Sequence, residues 1–557
     1  MGIANKTIDA ASHPIPWKHI NWQKSNSTVR RLQTRIVQAQ KECNARKVRA
    51  LQFILTRSLA AASLAVRQVT ENTGKRTPGI DKQIWRTESQ KSNAVCRIRR
   101  GQYRAKPLRR IYIPKASDST KKRPLSIPCM DDRAKQALFL MALDPIAEYY
   151  ADVNSYGFRK HRSTHDAIAQ INILLSRSCS PQWVLEGDIK GCFDNISHDW
   201  LIKMIPINKR VLSQWLKAGF IDNHSLYASE SGVPQGGIIS PTIANLTLDG
   251  LELMLKMQFK NQKVNFVRYA DDFIITGASK ELLENKIKPQ VQYFLKQRGL
   301  SLSEEKTHIT HIDHGFDFLG FHIRKLNKKL LIKPSKASVK RLLAKVKDTI
   351  RKSQHLSPSI LIAKLNPILR GWVNYYRHAS ASRTFSYIDS LVWVKLWRWA
   401  RRRHPNKGLR WIKVKYFLST ERSNWHFYGK TDKGKIIYLL FCRRFKLSRY
   451  LKIQNKANPY DPEFVSYFKA RLTKLKPSFL NLDLQKLWFN QKGRCPICKE
   501  YITLRSGWHA HHITMRCEGG KNVPDNMVLL HPICHEQWHQ RDYDTWAGLS
   551  RDGLRRA

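Results

Sequence analysis

The stretch FVRYADDFIIT, residues 266–276, places two adjacent aspartates between two β-prone runs. This pattern predicts a hairpin with Asp271 and Asp272 at its tip. Neighbouring residues of a strand point to opposite faces, so a turn is needed to direct both carboxylates to one site. An isolated pair of this kind is usually a solvated turn, and other parts of the chain must therefore support a chemical role.

A third aspartate, Asp188, follows another β-prone run at residues 183–187. Three acids around one point are costly unless cations neutralise them. Two Mg²⁺ ions about 3.5–4 Å apart would do so, and would stabilise the attacking 3′-oxygen and the leaving pyrophosphate of a phosphoryl transfer. The sequence therefore predicts a two-magnesium site formed by Asp188, Asp271 and Asp272.

The charge of the chain indicates a polyanionic partner. The 557 residues include 99 Lys and Arg against 42 Asp and Glu, a formal charge of +57, while 42% are hydrophobic. Such an excess favours nucleic acid, because phosphate contacts release condensed counterions. Long apolar segments count against a ribosomal-type protein, and no uncharged apolar run is long enough to span a membrane. With scattered cysteines and no signal peptide, we expect a cytoplasmic protein of a bacterial cytosol or an organelle matrix.

Motifs on both sides of the hairpin resemble those of reverse transcriptases. Residues 269–272, YADD, resemble the YxDD box, and DIKGCFD at 188–194 resembles the motif with the first catalytic aspartate. GVPQGG at 232–237 resembles the motif beside the nascent base pair. The resemblance is strongest to group II intron-encoded proteins, whose further segments are matched in family order at residues 109–128, 156–159, 163–167 and 316–321.

This resemblance implies roles for the residues around the metals. Asp188, Asp271 and Asp272, with the main-chain carbonyl of Ile189, would hold the two Mg²⁺. Phe193 would be the steric gate that crowds a ribose 2′-OH and selects deoxynucleotides. Simple core packing is the alternative for Phe193.

Nucleotide contacts are implied in the same way. Lys115 and Arg123 match residues that clamp the triphosphate, and Gln235 would contact the incoming nucleotide or its template base. Lys306 resembles a lysine credited with protonating pyrophosphate, although a solvated lysine is at least as expected.

Residues 365–377, LNPILRGWVNYYR, resemble the maturase or thumb region of the same proteins. Interleaved basic and aromatic residues could grip a duplex and stack on unpaired RNA bases. Their spacing of three to four also suits a buried helix face, and that interpretation is favoured for most of the aromatic residues there. They are Trp372, Tyr375, Tyr376, Trp393, Trp397 and Trp399.

Two pairs of possible zinc ligands stand near the C-terminus. CPIC at 495–498 and HPIC at 531–534 have the same internal spacing. They predict a closed tetrahedral Zn²⁺ site of Cys495, Cys498, His531 and Cys534. Cys517 is the alternative fourth ligand.

The residues between and after these pairs resemble HNH, or ββα-metal, endonucleases. The resemblance implies that His512 is the general base, and that Asn526 orients this base or pins the loop. It also implies one catalytic divalent ion, Mg²⁺ or Mn²⁺. The candidates for its ligands are His511, His535 and His539. His509 departs from the family, which often has Glu there, so activity or metal preference could differ.

The expected fold is multidomain α+β. It comprises a right-hand polymerase with fingers and palm, a helical thumb, and a small zinc-containing ββα-metal module. We predict a basic N-terminal region with the start of the fingers at 1–80, and fingers and palm at 81–330. The remaining regions are a maturase or thumb domain at 331–415, a basic DNA-binding region at 416–484, and an HNH endonuclease at 485–557.

The resemblance implies an RNA-directed DNA polymerase and maturase that assists group II intron splicing and mobility. Its HNH module would nick the target DNA, and the exposed 3′-OH would prime reverse transcription. The implied partners are group II intron RNA, target double-stranded DNA and deoxynucleoside triphosphates, without a membrane. The alternatives are a splicing-only maturase and a reverse transcriptase of retron or defence type. Intact aspartates count against the first, and the maturase and HNH regions count against the second.

Overall fold

The computed structural model describes residues 16–99, 103–114, 120, 122–420, 423–432, 434–474, 480, 482–503, 506–515 and 518–539. Helices and strands alternate through these residues, and the strands form five separate sheets. The expected multidomain α+β fold is confirmed at the level of a multidomain structure that mixes helices and sheets. Helices and strands are numbered below in chain order.

Five helices form a bundle in the N-terminal part of the chain. The side chains of Asn21 and Asn44 accept hydrogen bonds from the first turns of two of these helices and so satisfy their free N–H groups. The helices bury apolar faces against one another, with Ile36, Leu55 and Val66 fully enclosed. Their bounds are α1 (Trp22–Lys41), α2 (Ala45–Arg57), α3 (Leu59–Glu71), α4 (Glu88–Arg99) and α5 (Met130–Tyr150).

A four-stranded sheet follows in the order β2-β1-β4-β5. β1 (Leu108–Pro114) pairs antiparallel with β2 (Lys122–Ile127) and parallel with β4 (Phe220–Asp222), which in turn pairs with β5 (Ser225–Tyr227).

The sheet that carries the aspartates has the order β6-β7-β3-β8, with all neighbours antiparallel. Val184 and Ile274 lie in the core on one face, while Leu185 and Ile275 lie in a second core on the other. Because both faces are buried, the two central strands carry apolar residues on each face, although polar residues such as Glu186 and Arg268 also occur in the sheet. The strands are β3 (Trp183–Gly187), β6 (Asn265–Tyr269), β7 (Asp272–Gly277) and β8 (His308–His311).

Helices cover both faces of this sheet. α6 (Thr164–Leu175) belongs to the first core, and six further helices contribute to the second core. These are α7 (Cys192–Asn195), α8 (His198–Met204), α9 (Lys209–Leu216), α10 (Ser240–Leu248), α11 (Leu251–Gln258) and α12 (Lys288–Lys296), the last preceded by a π-helical turn.

The next region is helical, as expected, and continues the first core. Two three-stranded sheets flank its helices, in the orders β11-β10-β9 and β12-β13-β14. The helices are α13 (Lys336–Arg351), α14 (Pro358–Tyr376), α15 (Ser382–Arg403), α16 (Leu409–Tyr416) and α17 (Val465–Lys474). The strands are β9 (Phe316–Phe318), β10 (Phe321–Leu326), β11 (Lys329–Pro334), β12 (Phe417–Thr420), β13 (Ser423–Lys430) and β14 (Ile436–Tyr438).

The cysteine- and histidine-rich module contains α18 (Leu482–Asn490), a hairpin of β15 (His509–His512) and β16 (Met527–Leu530), and α19 (Pro532–His539). It shares one hydrophobic core with the N-terminal helices, where Trp17 and Trp22 are buried. Sequence analysis assigned no role to these two tryptophans.

The domain boundaries remain a prediction; the one at residue 485 falls inside α18. Among the described residues, no helix is both long and apolar enough to cross a membrane.

Candidate active sites and metal centres

The turn between β6 and β7 carries the two adjacent aspartates. Tyr269 pairs with Asp272, so Ala270 and Asp271 form a two-residue turn, and Ala270 has a positive φ of 59°. The predicted hairpin is therefore present, with Asp271 in the turn and Asp272 at the first position of β7. Gly157 approaches so closely that a Cβ there would lie 2.2 Å from the nitrogen of Ala270. A side chain at residue 157 would push against the turn.

A fully buried arginine supports this turn from inside. The guanidinium of Arg268 donates to the main-chain oxygen of Ala270 at 3.3 Å and to Oδ1 of Asn245 at 3.1 Å, and it forms an ion pair with Asp249. An arginine in the middle of an apolar strand is an unusual sequence signal, because burying its charge is costly without such partners. Sequence analysis did not identify this residue.

The first aspartate lies beside the same turn. Gly187 pairs with Phe273, so Asp188 leaves β3 next to the start of β7. Burial, together with the neighbouring carboxylates of Asp271 and Asp188, raises the pKa of Asp272 to about 6. The pKa of Asp271 is raised by burial and by the charge of Asp188. The three acids are thus close enough to oppose one another's ionisation.

A lysine provides positive charge at this acidic site. The Nζ of Lys306 lies 2.8 Å from Oδ2 of Asp188. Carboxylate oxygens are the ligands that Mg²⁺ prefers, and the donor set therefore fits that ion.

The structure describes four of the other predicted polymerase residues. The half-buried Phe193 packs edge-on against Phe158, with ring centroids 6.4 Å apart. Gln235 accepts a hydrogen bond at its main-chain oxygen from Ser126 of β2, the strand that also carries the exposed Arg123. Ile189 is buried beside Leu302, to which it forms a β-bridge. Lys115 lies outside the described residues.

The aromatic residues of the thumb region are mostly core, as favoured. Tyr376 and Trp399 are each 3% exposed, and the other four are partly buried against the same core. A groove of about 590 Å³ between α13 and α15 is instead basic. Its lining has no acidic residue and includes Lys336, Lys340, Lys347 and Lys395.

The two pairs of predicted zinc ligands meet in one buried cluster. The ligand atoms of Cys495, Cys498, His531 and Cys534 all lie within 4.8 Å of one another. Nδ1 of His531 is 3.2 Å from Sγ of Cys498, while its Nε2 is 3.2 Å from the main-chain oxygen of Tyr501. This arrangement leaves Nδ1 for a metal and fits tetrahedral zinc. Cys517, the alternative ligand, lies outside the described residues.

The zinc cluster also contacts the N-terminal bundle. Arg67 of α3 is buried over the ring of Trp22, pairs with Glu71, and has Nη2 3.8 Å from Sγ of Cys534. Although burial opposes its charge, Glu71 and the two nearest thiols raise the pKa of Arg67. A buried cation of the N-terminal bundle therefore lies beside the sulfur of a predicted zinc ligand in the module.

Three histidines converge next to the zinc cluster. Ligand nitrogens of His511, His535 and His539 lie within 4.8 Å of one another. His511 is 3% exposed, and its Nε2 has no hydrogen-bond partner among the described residues. Burial and the neighbouring histidines lower the pKa of His511 and of His535 to about 4. These imidazoles are therefore neutral near pH 7 and fit a divalent metal ion.

The two residues expected beside the metal have different partners. Nε2 of His512 lies 3.3 Å from Oδ1 of Asn522, a residue that sequence analysis missed. Asn526 exchanges hydrogen bonds with the main chain of Thr514 and donates to the oxygen of Lys521. Asn526 therefore hydrogen-bonds the main chain of the loop, whereas the contact with the ring of His512 is made by Asn522.

Four family models match separate parts of the chain. They are the N-terminal domain of reverse transcriptase at 17–98, reverse transcriptase (RNA-dependent DNA polymerase) at 113–323, the group II intron maturase-specific domain at 339–417, and HNH endonuclease at 495–541.

Whole proteins match as well. The chain is 29% identical over 426 residues to the group II intron-encoded protein LtrA of Lactococcus lactis subsp. cremoris, covering 59% of this chain and 70% of LtrA. It is 34% identical over 309 residues to protein YkfC of Escherichia coli K12, covering 46% of this chain and 79% of YkfC. A solved telomerase from Candida albicans aligns over 57% of this chain and 63% of its own, at 14% identity and a TM-score of 0.33, too low to indicate a common fold. Because the four family models match in this order along one chain, the chain belongs to the family of group II intron-encoded reverse transcriptases and maturases that carry an HNH endonuclease domain.

Proposed function

We propose that the palm site extends a DNA strand on an RNA template with Asp188, Asp271 and Asp272 as the ligands of two Mg²⁺ ions. The observation that carries this proposal is the position of Asp188, which leaves β3 beside the turn that holds the other two acids. The main-chain carbonyl of Ile189 is a further ligand. When bound, the two ions stabilise charge on the attacking 3′-oxygen and on the pyrophosphate.

The side chains around the acids select and hold the nucleotide. Phe193 packs against Phe158 and closes the site at the ribose, so a 2′-OH is excluded by volume. Arg123 on β2, with Lys115 just before it in the chain, contacts the triphosphate. Gln235 contacts the incoming nucleotide or its template base. Lys306 neutralises Asp188 before substrate arrives and is then free to contact the leaving pyrophosphate.

The second proposed activity is cleavage of one strand of the target DNA by the histidine module. His512 takes a proton from the attacking water, and Asn522 holds its ring through Nε2. His511, His535 and His539 hold one divalent ion that polarises the phosphate and stabilises the leaving 3′-oxygen. Of the two expected ions, Mn²⁺ suits three imidazole ligands better than Mg²⁺ does. Zn²⁺ on the four buried Cys and His ligands supports the fold of the module.

The two activities operate in sequence on one ribonucleoprotein. Intron RNA binds along the basic surface that includes the groove between α13 and α15, where four lysines face no acid. The bound RNA enters DNA by reversal of splicing, the histidine module nicks the opposite strand, and the exposed 3′-OH reaches the palm as primer. A group II intron RNA, double-stranded DNA and deoxynucleoside triphosphates are therefore the partners.

A primer-extension assay tests the first activity. The full chain, an RNA template with an annealed DNA primer, deoxynucleotides and Mg²⁺ should give complementary DNA. No incorporation under these conditions would overturn the polymerase proposal and leave a splicing-only maturase. The same preparation, offered ribonucleotides, should extend poorly, and Phe193→Val should increase that incorporation if Phe193 is the steric gate.

A further inference from the structure

His509 lies at the edge of the proposed nuclease metal site without belonging to its three ligands. It stands two residues before His511 on β15, so both side chains point to the same face of the strand. That face packs against α19, which carries His535 and His539. The strand therefore directs two of its histidines towards the helix.

The contact of His509 is to one specific nitrogen. Its Nδ1 lies 3.3 Å from Nδ1 of His535, with the two rings nearly perpendicular at 88°. The other nitrogen of His535, Nε2, lies 3.2 Å from Nε2 of His539. His535 thus directs Nε2 into the group of three and Nδ1 to His509.

This geometry fixes the protons. A ring nitrogen that binds a metal must present its lone pair, so a metal-bound His535 carries its proton on Nδ1. That N–H needs an acceptor, and the acceptor sets the tautomer and the orientation of the ring. His509 can accept through Nδ1 when its own proton is on Nε2.

We propose that His509 is a positioning residue that accepts the Nδ1–H of His535 and so fixes this ligand for the divalent ion. The inference rests on the proposed metal site of the nuclease. Sequence analysis expected that a histidine in place of the family's frequent glutamate could weaken activity or change metal preference. On this inference His509 supplies the hydrogen-bond acceptor itself, although as a neutral group it gives the ligand less negative charge than a carboxylate would.

Direct ligation by His509 is the competing explanation. It is disfavoured because the nitrogen nearest to His509 faces away from the other two ligands, and because His509 is absent from the set of nitrogens that lie within 4.8 Å of one another. The two explanations differ in what a substituted residue 509 must be able to do.

The test uses the full zinc-loaded chain and Ni²⁺, an ion that imidazole ligands bind well. Calorimetric titration of the wild type should show a Ni²⁺ site that His535→Ala removes, with zinc retained throughout by elemental analysis. His509→Ala should weaken Ni²⁺ binding about 10-fold or more, in the range typical for loss of an outer hydrogen-bond partner. His509→Gln and His509→Glu, which keep an acceptor, should recover most of the affinity. His355→Ala, at an exposed thumb histidine, is the matched control.

The outcomes separate the inference from the function on which it rests. If the wild type binds no Ni²⁺ that depends on His535, the metal site itself is wrong. If that binding is present and equal in His509→Ala, the positioning role is wrong.

The absorption bands of bound Co²⁺ give a second measurement, since they report the ligand set. A band shift in His509→Gln relative to the wild type would make His509 a ligand and overturn the inference. Thermal melting without added metal should be unchanged in all three variants, because the side chain is exposed.

Discussion

The acidic turn in the palm and the histidine group in the nuclease module each gather three proposed metal ligands, which are carboxylates in the palm and imidazoles in the module. The carboxylates repel one another, the pKa values of Asp271 and Asp272 are raised, and Lys306 lies against Asp188. Ligand nitrogens of the three imidazoles converge within 4.8 Å, and burial and neighbouring histidines lower the pKa of His511 and of His535 to about 4, so these two rings are neutral near pH 7. Neutral ligands can be held together by the fold alone, whereas like charges need a cation to draw them together.

The largest effect is expected from a substitution in the palm. Asp271→Asn removes one charge of the acidic turn, and we expect complementary-DNA synthesis to fall about 10³-fold, since metal stabilisation of the transition state is worth several kcal/mol. Primer extension on an RNA template measures this. DNA nicking and the affinity for intron RNA should stay at wild-type levels, as should all three properties in the control Asp313→Asn, whose side chain is 64% exposed. Loss of RNA affinity in Asp271→Asn would contradict independent sites.

The converse change is made in the histidine module. His512→Ala removes the proposed base, and we expect nicking of the target DNA to fall about 10²-fold or more, as is usual for loss of general-base catalysis. Extension of a primer that is already annealed should be unaffected. A strand-specific nicking assay with His355→Ala as control checks the result. Normal nicking by His512→Ala would assign the base elsewhere.

A third change asks whether the histidine module is energetically separate from the polymerase. Arg67→Met leaves the partly buried Glu71 without its partner and removes the buried cation beside Cys534, and we expect the free energy of unfolding to fall by about 3 kcal/mol. Denaturant unfolding, followed by zinc release, measures it. The control Arg30→Ala removes an arginine that is 60% exposed and pairs with Glu500, and should cost less than about 1 kcal/mol. Equal effects of the two would remove the bridging role of Arg67.

The smallest expected effect distinguishes the two asparagines of the nuclease loop. Asn522→Ala should lower nicking about tenfold while leaving stability unchanged, because it only orients His512. Asn526→Ala should instead destabilise the module by about 1–3 kcal/mol, since it leaves main-chain groups of the loop unsatisfied. Nicking rates and thermal melting of both variants provide the test. The reverse pattern would exchange the two roles.

Sequence patterns predicted what depends on local spacing. The hairpin tip at Asp271, the CPIC and HPIC pairs, and the one-turn spacing of His535 and His539 all fix geometry within a few residues. Contacts between distant segments were missed, because no local pattern encodes them. The contact of Arg67 with Cys534 spans 467 residues, and Trp17 and Trp22 belong to the core that the two regions share. Asn522 was not predicted, because the family motif identifies Asn526 as its asparagine.

The interface between the N-terminal helices and the histidine module can form only late in the synthesis of the chain. Arg30 and Glu500 are 470 residues apart, and at about 5–20 residues per second a ribosome needs roughly half a minute to a minute and a half to make the intervening chain. During that interval the N-terminal helices lack the apolar residues of the module that complete their shared core. The nascent protein therefore exposes part of an apolar core surface until α19 has emerged, and a holding chaperone would have its greatest effect in that window.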